Sequence, residues 1–285
     1  MTIVDNAARA EFREQGVTCF RQAVPLDQST IMREAFDWSV AHPGRMMKPV
    51  QPGTPGTLWG DLANPDSFPA YHDVNFKTVI PQLVSELWQK PDVWFMYEQV
   101  FIKTGGDSGS ADRTPWHQDI SYLPVSGEDL AVVWISFESL TMDESLEFVA
   151  GSHRGVMYDG SSFDPQDHTA PLYGDGSLPR LPDIEADRSA YSIISYAIEP
   201  GDIVVFHPGM LHGGAPTAAG CQRNTLSLRY FGEDAVVSLR PNDTEDMLTR
   251  IANKESGIHP MQKAKLLGEG ADFRDWGFPK VYPRV

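Results

Sequence analysis

The chain has 285 residues, with 23 Lys and Arg against 39 Asp and Glu, giving a formal charge of −16 at neutral pH. That balance argues against a nucleic-acid binder, which needs a basic face to displace phosphate counterions, and against docking on an anionic membrane. A hydrophobic share of 41% supports a sizeable core, and 24 Gly with 22 Pro favour a turn-rich β fold over a helical bundle.

Taken in chain order, residues 5–15 suit a short amphipathic helix stopped by Gly16, and 17–21 a strand. Asp27 or Ser29 could cap a second helix to about Ala41, ended by His42-Pro43-Gly44. Residues 48–60 carry Pro49, Pro52, Gly53, Pro55, Gly56 and Gly60, which is the chemistry of a long functional loop. A third helix is expected over 79–89. From Val93 short β-branched and aromatic runs alternate with turns, at 94–103, 114–121, 131–138, 146–149, 193–198, 203–206 and 225–231, the signature of a sandwich or small barrel. A Gly/Pro/Asp/Ser-rich stretch at 151–190 reads as a long loop and a candidate lid. One more helix is expected at 244–253.

These elements are read as one domain over 1–285: helical N-terminal support (1–92), a barrel core (93–233) and a C-terminal extension (234–285). With two cysteines, Cys19 and Cys221, no disulfide framework is expected. No signal-peptide pattern and no apolar run of membrane-spanning length is seen, so the expectation is a cytoplasmic protein acting on a small molecule. Oligomeric state is left open.

The candidate chemistry lies in two short segments. On a strand, His117 and Asp119 of Trp116-His117-Gln118-Asp119 would share a face. Downstream, the strand–turn–strand of Gly201 to Gly214 sets His212 at the start of its second strand. Two imidazoles and a carboxylate from separate strands form a facial triad that leaves adjacent positions open on a six-coordinate metal, as in non-haem Fe(II) oxygenases. Arg223 follows His212 by eleven residues. Inside a barrel an Arg needs an anion, and its fork suits the distal carboxylate of 2-oxoglutarate. Arg229 shares the parity of Arg223 and reads as a structural salt bridge. His153 and His207 read as structural, and Tyr122, Trp59, Met46, Met47 and Phe231 as core or pocket lining.

The run Thr114-Pro-Trp-His-Gln-Asp, then Trp134-Ile-Ser-Phe-Glu-Ser, then Leu146-Glu-Phe-Val-Ala-Gly-Ser-His-Arg, then Gly201-Asp…His212-Gly-Gly, then Arg223-Asn-Thr-Leu-Ser-Leu-Arg-Tyr resembles the phytanoyl-CoA hydroxylase (phytanoyl-CoA dioxygenase) family. The resemblance spans about Trp94 to Phe231. It implies a mainly β fold with flanking helices, a double-stranded β-helix of jelly-roll or cupin-like form. It also implies Fe(II) held by His117, Asp119 and His212, with 2-oxoglutarate as co-substrate on Arg223. Trp134, Gln99 and Lys103 fall where that family's co-substrate contacts can lie. The implied reaction consumes O2, oxidises an unactivated C–H of a small molecule such as a secondary metabolite, and releases succinate and CO2. Gly214 departs from the family pattern, because some members carry a hydroxyl residue there that helps hold the co-substrate. Asp119 stands where related halogenases lack a carboxylate, which leaves chloride no place. A cupin-type metalloenzyme that does not use 2-oxoglutarate and a non-catalytic barrel remain alternatives at this point.

Overall fold

The computed structural model describes residues 3–49, 57–106, 111–214, 216–254 and 257–283. The chain opens with helix α1 (Asn6–Gln15), capped by the Asp5 carboxylate, which accepts from Ala8 N–H. Gly16 ends it at φ +83°, where its N–H reaches Phe12 O. A Cβ at Gly16 would sit 2.2 Å from Met210 Sδ, so both the left-handed turn and the close approach demand glycine. Strand β1 (Val17–Phe20), helix α2 (Leu26–Ala41), strands β2 (Lys48–Pro49) and β3 (Thr57–Leu62), and helices α3 (Phe68–Lys77) and α4 (Ile80–Trp88) follow. The strands after them are β4 (Val93–Thr104), β5 (Thr114–His117), β6 (Val125–Ser126), β7 (Leu130–Ser136), β8 (Leu146–Val149), β9 (Ile193–Ser195), β10 (Ile203–Phe206), β11 (His212–Gly214), β12 (Gln222–Phe231), β13 (Val236–Val237) and β14 (Lys280–Tyr282).

Among the described residues the larger sheet has eight strands, ordered β1-β10-β7-β12-β4-β3-β2 with β14 beside β4. A four-stranded sheet, β5-β11-β8-β9, faces it, and β13 pairs with β6. All the pairings between named strands are antiparallel. This is the expected jelly-roll, a double-stranded β-helix.

Strand β12 shows how the sequence builds it. Its even positions, Leu226, Leu228 and Tyr230, pack with Phe12, Phe36, Tyr71, Leu83 and Leu87 of the helices in the main core. Its odd positions, Arg223, Thr225, Ser227 and Arg229, line the interior cavity. The period-2 alternation therefore separates a helix-packed outer face from a functional inner face. Tyr230 reaches past the sheet to donate to Asn75 Oδ1 on α3 at 3.0 Å.

Several expectations need correction. The run 114–121 is not one strand: β5 stops at His117, and Asp119–Tyr122 forms a 3-10 turn. The stretch 48–60 is not all loop, because β2 and β3 pair within it; the part at 50–56 lies outside the described residues. The N-terminal segment supplies β1, β2 and β3 to the larger sheet as well as helices, so the line drawn at residue 92 does not separate support from barrel. Helix α3 was not anticipated. Helix α2 starts at Leu26 without a side-chain cap from Asp27 or Ser29. Cys19 and Cys221 are both free.

Glu98 on β4 faces away from the cavity and is 3% exposed. Burial raises its carboxyl to about 7, against hydrogen bonds from Ser67 and the Asn64 N–H. The unfolded value is about 4.3. Between these values the native state holds a proton that the unfolded state has lost, so this group's contribution falls as pH rises through that window. Glu98→Gln is expected to gain stability relative to the parent as urea midpoints are followed from pH 4.5 to 7.5. A difference that stays constant with pH would refute this reading.

Candidate metal centre

His117 ends β5 and His212 opens β11, and the two are direct cross-strand partners with ring centroids 4.2 Å apart. Asp119 enters from the 3-10 turn just beyond β5. One ligand atom from each of the three lies within 4.8 Å of the others, and all three residues are buried. Asp119 Oδ1 is 3.6 Å from His117 Nε2 and 3.8 Å from His212 Nε2. His117 Nδ1 donates to Pro115 O at 2.8 Å, and His212 Nδ1 to Met210 O at 3.0 Å. A carbonyl can only accept, so each ring carries its proton on Nδ1 and turns the Nε2 lone pair toward the shared point. Burial, with His117 alongside, lowers His212 to about 4, keeping it neutral at physiological pH. Burial works to raise the Asp119 carboxyl, but Arg229 and the two imidazoles outweigh it and hold the group well below the usual carboxylate range. A neutral His212 and an ionised Asp119 are in the protonation states that metal ligation requires.

The triad opens on a cavity of about 450 Å3. Gln99, Trp134 and Arg223, singled out from the sequence, line it, together with Tyr122 and Met46. Arg223 is 7% exposed. Its Nη1 donates to Glu144 O, while Nε is buried without a partner among the described residues. Burial lowers its pKa to about 10, which still leaves it charged at neutral pH. Lys103 lies opposite Arg223 in the β4–β12 register and is 1% exposed, but it is not part of the cavity wall. Burial, and Arg223 beside it, lower Lys103 to about 7. Gly214 lines the cavity beside Thr114, whose Oγ1 lies 3.0 Å from where a Cβ on Gly214 would stand.

Arg229 is the residue that the sequence undervalued. It does form a salt bridge, but its partner is the triad carboxylate: Nη2 donates to Asp119 Oδ2 at 2.7 Å. Its guanidinium also lies 4.7 Å from the centroid of the Tyr97 ring. The parity it shares with Arg223 was the available signal. His207 is structural, accepting from Gly209 N–H on Nδ1 and donating from Nε2 to Gly127 O. Trp59, Met47 and Phe231 do not line the cavity.

The loop 151–190 closes one side. Tyr122 Oη accepts from Ser161 N–H and donates to Ser161 O, which fixes the loop over the site. Phe163 then packs edge-on against His117 with centroids 5.2 Å apart. It holds φ +57°, a conformation that a bulky side chain adopts only where surrounding contacts enforce it. Trp116 Nε1 donates to Glu185 at 2.6 Å, and Arg188 bridges to Glu147, so the far end of the loop is tied to the smaller sheet.

Fold and site together define a jelly-roll chain with a two-histidine, one-carboxylate constellation of the type that ligates non-haem iron. The pattern of the phytanoyl-CoA dioxygenase (PhyH) family matches residues 12–225. A probable phytanoyl-CoA dioxygenase of Caenorhabditis elegans is 26% identical over 147 residues, 51% of this chain and 45% of that protein. The human peroxisomal phytanoyl-CoA dioxygenase is 24% identical over 159 residues, 54% of this chain and 45% of that protein. The chain thus spans about half the length of the curated relatives it matches. Among solved structures, the alpha ketoglutarate dependent carbocyclase SnoK from nogalamycin biosynthesis superposes with a TM-score of 0.67 at 15% identity, covering 98% of this chain and 96% of that one. The epimerase SnoN, in complex with Fe3+, alpha ketoglutarate and nogalamycin RO, superposes with a TM-score of 0.66 at 15% identity, covering 96% and 97%. The chain belongs to the phytanoyl-CoA dioxygenase family.

Proposed function

We propose that this protein is an Fe(II)- and 2-oxoglutarate-dependent oxygenase that oxidises an unactivated C–H of a small organic molecule. The observation that carries this reading is the convergence of two Nε2 lone pairs and a carboxylate on one point, in the wall of a cavity that also holds a buried guanidinium. His117, Asp119 and His212 would hold the iron, which supplies the chemistry of O2 activation when bound. Arg223 would bind the distal carboxylate of 2-oxoglutarate, and its partnerless Nε supports a missing acceptor there. Trp134 and Gln99, on the cavity wall, would flank the co-substrate, and Lys103 would add positive potential behind Arg223. Phe163 and Tyr122 cover the triad and would keep water from the reacting carbon. In the net reaction the substrate gains one oxygen atom of O2, succinate gains the other, and CO2 leaves.

We read the 285 residues as one catalytic unit. Two free cysteines favour a reducing compartment and so the cytoplasm. Among the described residues no helix is long and apolar enough to cross a membrane. Fe(II) and 2-oxoglutarate added without oxygen are expected to give a weak visible charge-transfer absorption, and aerobic protein is expected to form succinate only when both are present. An absent absorption in folded protein would overturn the reading; absorption by Fe(II) alone, indifferent to 2-oxoglutarate, would support a cupin-type metalloenzyme instead.

A further inference from the structure

Arg229 is 4% exposed and lines the same cavity as the triad. Nη2 is engaged by Asp119, whereas Nε and Nη1 are buried and have no hydrogen-bond partner among the described residues. A guanidinium keeps its charge at every physiological pH. Buried donors of a charged group without acceptors are costly, and native proteins retain them chiefly where a ligand completes the set.

The charges of the cavity point the same way. Lys48, Arg223 and Arg229 are its cations and Asp119 its carboxylate, so three positive charges face one negative. Fe(II) and the 2-oxoglutarate dianion cancel each other, and the loaded site keeps an excess of two positive charges in a protein whose formal charge is −16. Coordination of a dication draws on the Asp119 carboxylate and leaves Arg229 less neutralised than it is beside a free carboxylate. Arg223 answers the distal end of the co-substrate. Arg229 stands six residues along the same strand, with its guanidinium over the Tyr97 ring, and lines the same cavity, whose wall also carries Leu62, Leu123 and Phe163.

We propose that the substrate is a small, largely apolar molecule bearing a carboxylate, and that Arg229 binds this carboxylate with the donors that Asp119 leaves open. The proposal rests on the assignment of the site to Fe(II) and 2-oxoglutarate. A cavity of about 450 Å3 shared with the co-substrate suits a compound of one or a few rings, and Lys48, exposed on its wall, adds attraction for an anion.

The test titrates benzoate, cyclohexanecarboxylate and 2-naphthoate, each beside its primary amide, into anaerobic protein loaded with Fe(II) and 2-oxoglutarate. A shift of the visible absorption reports binding. At least one carboxylate is expected to bind roughly tenfold or more tightly than its amide, the value of a charge-assisted hydrogen bond. In Arg229→Gln, kept at saturating Fe(II) because this residue also holds Asp119, that preference is expected to vanish, while the affinity for 2-oxoglutarate falls by much less than in Arg223→Ala. Arg229→Lys, which keeps the charge but loses the fork, serves if the Gln variant does not fold, and should lower the preference. The parent comparison stands without either variant: equal binding of every carboxylate and its amide overturns the proposal and leaves the iron assignment intact. So does a loss of 2-oxoglutarate affinity in Arg229→Gln as large as in Arg223→Ala, which would give the open donors to the co-substrate. Failure of the absorption to form at all overturns both.

Discussion

His212→Ala is expected to weaken Fe(II) binding by at least about a hundredfold and to abolish 2-oxoglutarate turnover. Loss of a group that merely orients a metal ligand costs 10–100-fold, and loss of the ligand itself costs more. His212 enters from β11, the direct partner of β5, and its Nε2 lies 3.8 Å from the Asp119 oxygen that faces both imidazoles. Without it an iron would be left with His117 and Asp119, and Asp119 is already shared with Arg229. The fold should survive, because the ring sits between Phe148 and Phe206 in a region bounded by the cavity, where solvent can fill the space. Fe(II) titration under argon, with circular dichroism as the check on folding, reads the outcome. Unchanged Fe(II) affinity in folded His212→Ala protein would remove the triad from the mechanism.

Arg223→Ala should produce the complementary phenotype: 2-oxoglutarate bound roughly a hundredfold or more weakly, with Fe(II) affinity near that of the parent. Truncating one partner of a buried, hydrogen-bonded charge pair costs 2–5 kcal/mol, and every 1.4 kcal/mol is tenfold in affinity. Arg223 meets that description once a carboxylate occupies the space at its partnerless Nε. The cost also includes leaving the dianion's distal charge without the Arg223 guanidinium, and burial lowers Lys103, behind the wall, to about 7, so it is only partly charged at neutral pH. Arg223→Lys should recover part of the loss through charge without the bidentate geometry. Co-substrate affinity that does not change in Arg223→Ala would move the distal site elsewhere, with Arg229 the next guanidinium on the same wall.

The two phenotypes separate because the residues separate. His212 belongs to the small sheet and Arg223 to the large one, and the cavity lies between. Each was legible in the sequence for a local reason. His212 opens a strand after a Pro-Gly turn, and Arg223 lies near the start of a strand whose positions 226, 228 and 230 are apolar, so period 2 sets its parity apart from theirs, while sheet closure decides which set faces the cavity. Asp119 was legible as a residue but not in its setting: the strand ends two residues earlier, and the carboxylate arrives from a 3-10 turn. Local propensity does not mark that change, because Gln118 keeps extended backbone and the turn beyond it is held by tertiary bonds such as Ile120 N–H to Pro208 O. Helix α3 was hidden because Pro69 and Asn75 interrupt its apolar pattern, while Tyr71 and Val74 are buried in a core shared with α2, where Tyr71 Oη meets Ser39 Oγ at 2.9 Å. Strand β3 was hidden among prolines and glycines, since its pairing with β4 is what makes it a strand.

By itself the sequence determined the candidate ligand types, the order of the strands that carry them and the parity shared by Arg223 and Arg229, because these follow from periodicities of two and from turn chemistry within a few residues. Only the tertiary structure decided that Arg229 holds Asp119 across 110 positions of chain, that Phe163 lies over His117, and that the charged side chains on the cavity wall of an acidic protein are mostly cations. The reason is physical. Burial and charge pairing are properties of groups brought together by sheet closure, and neither a guanidinium's partner nor the potential it feels is encoded in its neighbours along the chain.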